Sequence, residues 1–352
     1  MHSNTSPQSC EARFDPFSNK TVLVAPKRSK RPNGSPVCSA GRKLKTPPPA
    51  ASSACPPECP GGHEELTPPA VFVCPEGAAL NSPGWKTRVV PNKFSCFSPA
   101  GSNLHYELPG GLSGIQDPAG SCEVVFETEH HRHPIHSRSN EEMAFCLRAI
   151  VNRYRASRSD PQARFWYGFK NLGEDAGGTL EHEHWQLYTF SFVPPAIQER
   201  YERAAQYFNR TGRSLYCDFF AAEAASGERV VASSPHFLTF VPFAAGMPYE
   251  IRIVPKRHSA DFSRMTSDEL IDFGVSLRDA VARLCGVIPD LAFNIELHTA
   301  AFEHVSAPWF CWHLAIVPRI TTLAGVELGL NVMVNPVLPE EAASKLRAIS
   351  VG

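Results

Sequence analysis

The run Gly177-Gly178-Thr179-Leu180-Glu181-His182-Glu183-His184-Trp185-Gln186 places two histidines and a glutamine at a spacing of two, just after a glycine pair. Read as extended chain, it points His182, His184 and Gln186 to one face and Glu183 and Trp185 to the other. One line of side chains then offers a ligand, a nucleophile and a donor to a phosphoryl oxygen. Taken alone, the same run fits a polar strand face with two solvated imidazoles. The rest of the chain decides between these readings.

With 352 residues and 43% hydrophobic content, the chain can bury a large core, and its length suits two domains or one duplicated unit. A formal net charge of -1 gives no overall field toward nucleic acid. No apolar run approaches the length of a membrane span, and residues 1–14 lack the apolar centre of a signal peptide. A soluble, cytoplasmic protein is expected. Eleven cysteines in a chain this long point to reduced thiols and metal ligation rather than to a disulfide framework.

Residues 28–70 are rich in Pro, Ser, Lys and Arg and read mostly as loop, with Cys55 and Cys59 inside them. Before them, Lys20 to Ala25 alternates like a short strand and leads into a basic run from Lys27 to Arg31. An internal repeat follows. The stretch from Cys122 to Glu127 reads as a strand, then come His130-His131, then Ser139-Asn140-Glu141-Glu142 opening a helix. The same order returns from Tyr249 to Val254, with His258 and then Thr266-Ser267-Asp268-Glu269. Both helix starts are capping boxes, in which hydroxyl and carboxylate each satisfy an orphan amide. Apolar stripes follow, with Met143, Leu147, Ile150, Val151 and Tyr154 on one helix and Leu270, Leu277, Val281 and Leu284 on the other.

The flanks repeat as well. Arg88-Val89-Val90 with Phe94 resembles Arg229-Val230-Val231 with Phe237. Phe169-Lys170-Asn171 before His182-Glu183-His184 resembles Ala292-Phe293-Asn294 before Cys311-Trp312-His313. Two similar α+β halves are expected, with residues 1–195 as the first (33–87 largely loop) and 196–352 as the second.

These motifs occur in the order found in the galactose-1-phosphate uridylyltransferase family of the histidine-triad superfamily, and the chain resembles that family, including its branch related to ADP-glucose phosphorylase. The likeness runs from about Arg13 to Arg347, with a loose stretch at 33–87. It rests on residues 25–32, the Cys55/Cys59 pair, residues 88–94, residues 169–173, residues 182–186, and Glu327 to Glu340 with Asn335-Pro336. It implies an α+β fold of two similar histidine-triad-like halves, each an antiparallel sheet with packed helices. The family usually has His-Pro-His-x-Gln where this chain has His182-Glu183-His184-Trp185-Gln186. The Glu183 side chain is expected to face away from the chemistry, and the change removes a rigidifying residue.

By this resemblance His184 is the nucleophile, attacking the α-phosphorus of a nucleotide sugar to leave a nucleotidyl-histidine that a second phosphate discharges. Gln186 would donate its amide to a non-bridging phosphoryl oxygen. Gly177 and Gly178 would let backbone amides approach the diphosphate. Arg28, Arg31, Asn92, Asn171 and Thr179 would bind nucleotide, phosphates or sugar, and Glu327 and Asn335 would read the sugar. Cys55, Cys59, His131 and His182 make a Cys2His2 set for structural Zn2+, with His130 as the rival of His131.

For a second metal, repeat logic gives Ser214, Cys217, His258 and Cys311, while another family pattern gives Glu199, His298, Cys311 and His313; each set carries one substitution. His313 stands at the nucleophile position of the second half, but no glutamine follows it, so that half reads as structural. The implied partners are a nucleotide sugar with a sugar phosphate or inorganic phosphate, and a second copy of the chain in a homodimer. The leading expectation is UDP-glucose:hexose-1-phosphate uridylyltransferase. The alternatives are an ADP-glucose phosphorylase and a non-catalytic nucleotide-binding protein.

Overall fold

A computed structural model describes residues 10–18, 20–30, 67–81, 84–98, 106–107, 114–115, 119–130, 133–178, 180 and 182–351. In chain order the first strands are β1 (Glu11–Phe14), β2 (Thr21–Val24), β3 (Phe72–Cys74), β4 (Thr87–Pro91), the short pair β5 (Tyr106–Glu107) and β6 (Gly114–Ile115), and β7 (Gly120–Phe126). Helix α1 (Asn140–Arg158), β8 (Phe165–Leu172) and β9 (His184–Phe190) follow. Two helices, α2 (Pro195–Thr211) and α3 (Leu215–Ser226), lead to β10 (Val230–Ser233), β11 (Phe237–Phe240), β12 (Ile251–Pro255) and α4 (Ser267–Val287). The chain ends with β13 (Phe293–His298), β14 (His313–Pro318), α5 (Gly325–Leu330), β15 (Val332–Asn335) and α6 (Pro339–Ala348).

Among the described residues, ten strands form one sheet in the order β10-β11-β12-β14-β13-β8-β9-β7-β4-β3. Read inward from either edge, the order is the same by role, so β3, β4, β7, β9 and β8 match β10, β11, β12, β14 and β13. The two similar halves therefore share a single antiparallel sheet rather than each closing its own, and β8 and β13 form the seam, with Asn171 opposite Asn294 and Lys170 opposite Ile295. The order also corrects one sequence equivalence. The strand holding Val230 and Val231 is an edge and matches β3, whereas β4, with Arg88-Val89-Val90, matches β11. The two Arg-Val-Val runs look alike because edge and interior strands share β-branched composition whatever their place in the sheet.

Both capping boxes form. Ser139 accepts from Glu142 and Thr266 from Glu269, and each carboxylate returns to its cap amide. The apolar stripes of α1 and α4 then pack on one face of the sheet, burying Met143, Leu147, Ile150 and Tyr154 with Leu277, Val281 and Leu284. Each such side chain stabilises the fold by roughly 1.5–3 kcal/mol. The helices cross closely at Gly274, where an added Cβ would lie 3.1 Å from that of Met143. Trp166 and Trp185 are sealed beneath this layer at 0% and 1% exposure, so the inward residues of β8 and β9 are fixed against the helices. Every described cysteine is a free thiol, as the composition leads one to expect. A separate sheet holds β1, β2 and β15, with β15 parallel to β2.

Candidate active site

Strand β9 begins at His184, so His182 lies just before it rather than within it. From His184 onward the alternation is as expected. Trp185, Leu187 and Thr189 are buried, while Gln186, Tyr188 and Phe190 are half-buried on the face away from the helices. His184 shares that face with Gln186 and is 5% exposed. Its cross-strand neighbour on β7 is Phe126. The His182 ring stands edge-on to Phe126, with centroids 5.5 Å apart.

Two carbonyls fix these imidazoles. His184 Nδ1 donates to the His182 carbonyl at 2.9 Å, and His182 Nε2 donates to the Thr128 carbonyl at 2.8 Å. With the Nδ1 proton committed, His184 presents Nε2 as the ring nitrogen that carries a lone pair. Burial pulls the His184 pKa below its ordinary value, and the bond to the His182 carbonyl only partly opposes this. A neutral imidazole is the nucleophilic form.

Strand β8 completes the face. Tyr167 pairs with Tyr188 and Phe169 with Gln186, and the same register continued by two residues sets Asn171 level with His184. Phe169 stacks on Tyr167 and meets Tyr188 edge-on, so the floor beside Gln186 is aromatic. Asn92 reaches this face from the end of β4, donating to Cys122 Sγ at 3.3 Å, and Cys122 lies opposite Tyr188.

The glycine pair is built for geometry more than for anion contact. Gly177 has φ +79° and caps a short turn, and its amide donates to Glu174 O at 2.9 Å; the Gly178 amide donates to Gly173 O at 2.9 Å. Both of these amides are thus spent inside the loop. A Cβ on Gly178 would sit 3.0 Å from Asn171 O and from both N and O of Gly173, so the loop closes only without a side chain there. Asn294, from the second half, donates to Asn171 Oδ1 at 2.7 Å and to Ala176 O at 2.9 Å. It braces this loop across the seam.

Beneath the site lies a buried charge cluster. Glu127, Lys170 and Glu183 end the inward rows of β7, β8 and β9, and Arg138 joins them from the segment before α1. Arg138 binds Glu183 at 3.0 Å and also Glu127, while Lys170 binds Glu127 at 2.5 Å and also Glu183. Burial alone would raise the Glu127 pKa, but the charges of Arg138 and Lys170 outweigh it and hold the carboxyl at about 2. Glu183 does face away from His184's side of the sheet, and there it is anchored by Arg138 and Lys170. The signal was present in the sequence, since Lys170 shares strand parity with Trp166 and so points into the core, where a cation needs a carboxylate.

The remaining candidate residues are placed as follows. Arg28 is exposed on a short turn after β2. Glu327 accepts from the Ala324 amide at 2.9 Å at the start of α5. Asn335 is 1% exposed, and its amide serves Ala245 O and the Val337 N–H, each at 2.9 Å, so in this structure it ties β15 to its surroundings. Arg31, Thr179, Cys55, Cys59 and His131 lie outside the described residues, which leaves His182 as the described member of the zinc set.

The second-metal candidates are brought together only in part. Among the described residues no three His, Cys, Asp or Glu side chains are placed to hold a metal. The Cys217 thiol meets that of Cys311, and this contact lowers the Cys217 pKa to about 6, with His258 a nearby charge. His298 and His313 instead stack on each other, 4.8 Å between centroids. Glu199 pairs on its own helix with Arg203. Cys311 thus sides with Cys217 and His313 with His298, so the second set is divided between two neighbourhoods. His313 keeps the first half's backbone arrangement, its Nδ1 bonded to Cys311 O at 3.1 Å. It is covered, however, by Tyr216 and Phe220 of α3, beside a cavity of about 50 Å3 lined by Phe17, Arg200 and Arg252.

Residues 199–351 match the family model described as galactose-1-phosphate uridyl transferase, C-terminal domain. The ADP-glucose phosphorylase of Arabidopsis thaliana is 30% identical over 346 residues, covering 98% of this chain and 94% of its own. The chain belongs to the galactose-1-phosphate uridylyltransferase family. The galactose-1-phosphate uridylyltransferase of Thermotoga maritima is 28% identical over 244 residues, covering 67% of this chain and 76% of the relative. A crystal structure of an ADP-glucose phosphorylase from Arabidopsis thaliana with bound ADP-glucose superposes with a TM-score of 0.80 at 27% identity, covering 97% of this chain and all of that one. The family is one of transferases, and the two-half fold is shared with its solved members.

Proposed function

We propose that the protein is a nucleotidyltransferase that works through a covalent nucleotidyl-histidine. In the first half-reaction His184 Nε2 attacks the α-phosphorus of a nucleotide sugar; the N–P bond forms, the P–O bond to the sugar phosphate breaks, and the sugar 1-phosphate leaves. In the second, a phosphate oxygen of the acceptor attacks the same phosphorus and the N–P bond breaks. Gln186, on the same strand face, donates its amide to the phosphoryl oxygen where charge develops. The observation that carries the reading is the His184 Nδ1 bond to the His182 carbonyl, which commits the ring to the nucleophilic tautomer. Residues 1–195 form the catalytic half and residues 196–352 the structural half, since α3 covers His313 and no glutamine follows it.

The first reading of the substrates is UDP-glucose and a hexose 1-phosphate such as galactose 1-phosphate, in line with the named activity of most of the family's relatives. A second reading, phosphorolysis of ADP-glucose, is favoured by the relative that aligns over 98% of this chain. Arg28, Asn92 and Asn171 would hold the nucleotide and phosphate side in either case. Zinc would be bound by Cys55, Cys59, His131 and His182 and would stiffen the segment before the nucleophile. His182 fits that role, because a ring N–H bonded to a backbone carbonyl orients a ligating imidazole. We further propose a cytoplasmic homodimer; exposed Leu328 and Leu330 on α5 are suited to a protein interface. No helix among the described residues is long and apolar enough to cross a membrane.

Discharge of the isolated nucleotidyl-enzyme distinguishes the two substrate readings. Rapid discharge by galactose 1-phosphate, with formation of a nucleotide sugar, supports the transferase. Far faster discharge by inorganic phosphate, with release of a nucleoside diphosphate, replaces it with the phosphorylase.

A further inference from the structure

The carbonyl that fixes His184 belongs to the peptide joining His182 to Glu183. Its direction is therefore set by how Glu183 is held. In the second half the equivalent carbonyl is that of Cys311, which fixes His313, and the residue that follows is Trp312. Trp312 is 1% exposed and wedged between Phe237 and Phe273, so aromatic packing under α4 immobilises that peptide. In the first half no aromatic ring occupies the position, and the proline usual in related sequences is absent as well. Glu183 takes the place of both. Its carboxylate is tied to Arg138 at 3.0 Å and to Lys170, each of which is also tied to Glu127.

We propose that Glu183 is a positioning residue for His184, its carboxylate anchored by Arg138 and Lys170 so that the His182–Glu183 peptide presents its carbonyl to His184 Nδ1. The proposal rests on the reading of His184 as the nucleophile. It follows from the arrangement of the anchor. Arg138 and Lys170 are themselves 0% exposed in their side chains, Arg138 also donates to His133 O at 3.0 Å, and Lys170 rises from the centre of the sheet, so Glu183 is held from two independent elements. Two carboxylates facing two cations leave the buried cluster neutral, which is what permits it to exist away from water. An anchored peptide matters here because small displacements of a nucleophile slow a displacement reaction severely.

Three variants separate positioning from charge balance. Glu183→Gln leaves a net cation buried and should lower both stability and rate. Glu183→Gln with Lys170→Met restores neutrality around the Glu127–Arg138 pair, so thermal stability should return toward that of the parent. Labelling of His184 by nucleotide sugar should nonetheless stay slower by about ten- to a hundred-fold in kcat, with KM changed less than about three-fold. Glu183→Pro with Lys170→Met supplies a rigid ring in place of the anchor and should recover most of that loss. If the neutral Gln/Met double variant labels at the parental rate, Glu183 serves only to balance charge and the proposal is overturned. If Glu183→Pro with Lys170→Met is folded yet no faster than the Gln/Met variant, it is overturned too. A parental chain that labels at no histidine would overturn the nucleophile reading, and the proposal with it, a result plainly distinct from equal rates among variants.

Discussion

Asn171 and Asn294 occupy the same place in the two halves, face each other in the β8–β13 ladder, and are joined by a hydrogen bond of 2.7 Å from Asn294 Nδ2 to Asn171 Oδ1. The duplication therefore does more than repeat a fold. It sets the second half's asparagine against the loop that leads to His182 and His184, where it also holds the Ala176 carbonyl. Asn294→Ala removes both bonds, together with the acceptor of the Arg319 Nε–H, from a buried position, so it should cost about 1–3 kcal/mol. Denaturant unfolding measures that loss. Unchanged stability would show that the loop is held by other means.

The glycine loop offers a steric test. Gly178→Ala places a methyl group 3.0 Å from three backbone atoms that cannot rotate away, and should destabilise by about 1–3 kcal/mol. Gly329→Ala, with nothing within 4 Å of the new atom and a place inside α5, is the control and should be neutral or stabilising by up to about 1 kcal/mol. Thermal unfolding of the pair compares them directly; equal midpoints would mean the loop can relax outward.

How much of this was legible beforehand differs from residue to residue. The caps at Ser139 and Thr266, the stripes of α1 and α4, and the shared face of His184 and Gln186 follow from local periodicity, which the sequence displays. The slip that matched Val230 to Val89 arose because edge and interior strands have similar composition and only the ladder distinguishes them. Where the amides of Gly177 and Gly178 go was not legible, because their carbonyl partners, on Glu174 and Gly173, become neighbours only when the turn closes. Glu183 could be read as facing away from the chemistry, but its anchoring could not, because its partners Lys170 and Arg138 come from β8 and from the segment before α1.

Buried titratable groups make stability depend on acid in two adjoining windows. His298 is lowered to about 4, chiefly by burial, with Glu296 opposing. The unfolded chain takes up that proton near pH 6.5 while the folded chain does not, so stability is full above about 6.5 and falls as pH drops toward 4. His298→Asn should flatten the slope in that interval. Glu127 has the lower window: its contribution is full above about 4.5 and is lost as pH falls toward 2. Glu127→Gln should remove that part, and at neutral pH should cost about 3–5 kcal/mol by leaving a net positive charge buried with only Glu183 to face two cations. Denaturant midpoints from pH 7 down to 3 test both, and parallel curves for parent and variants would count against them.

Zinc, if bound as proposed by four protein side chains, has no open position for a catalytic water. Chelation should then lower the thermal midpoint and the labelling rate together. Cys217→Ser, at a place where no full ligand set assembles, should do much less. Elemental analysis that finds active protein free of zinc would dismiss the metal.

The central claim is that His184 becomes covalently nucleotidylated, and it is tested most directly by mass analysis of peptides after incubation with UDP-glucose or ADP-glucose and no acceptor. The account predicts one added nucleoside monophosphate on the peptide containing His184, from one of the two sugars, and none in a folded His184→Asn variant. An adduct that persists in His184→Asn, or a parental chain that turns over substrate with His184 unmodified, would contradict it.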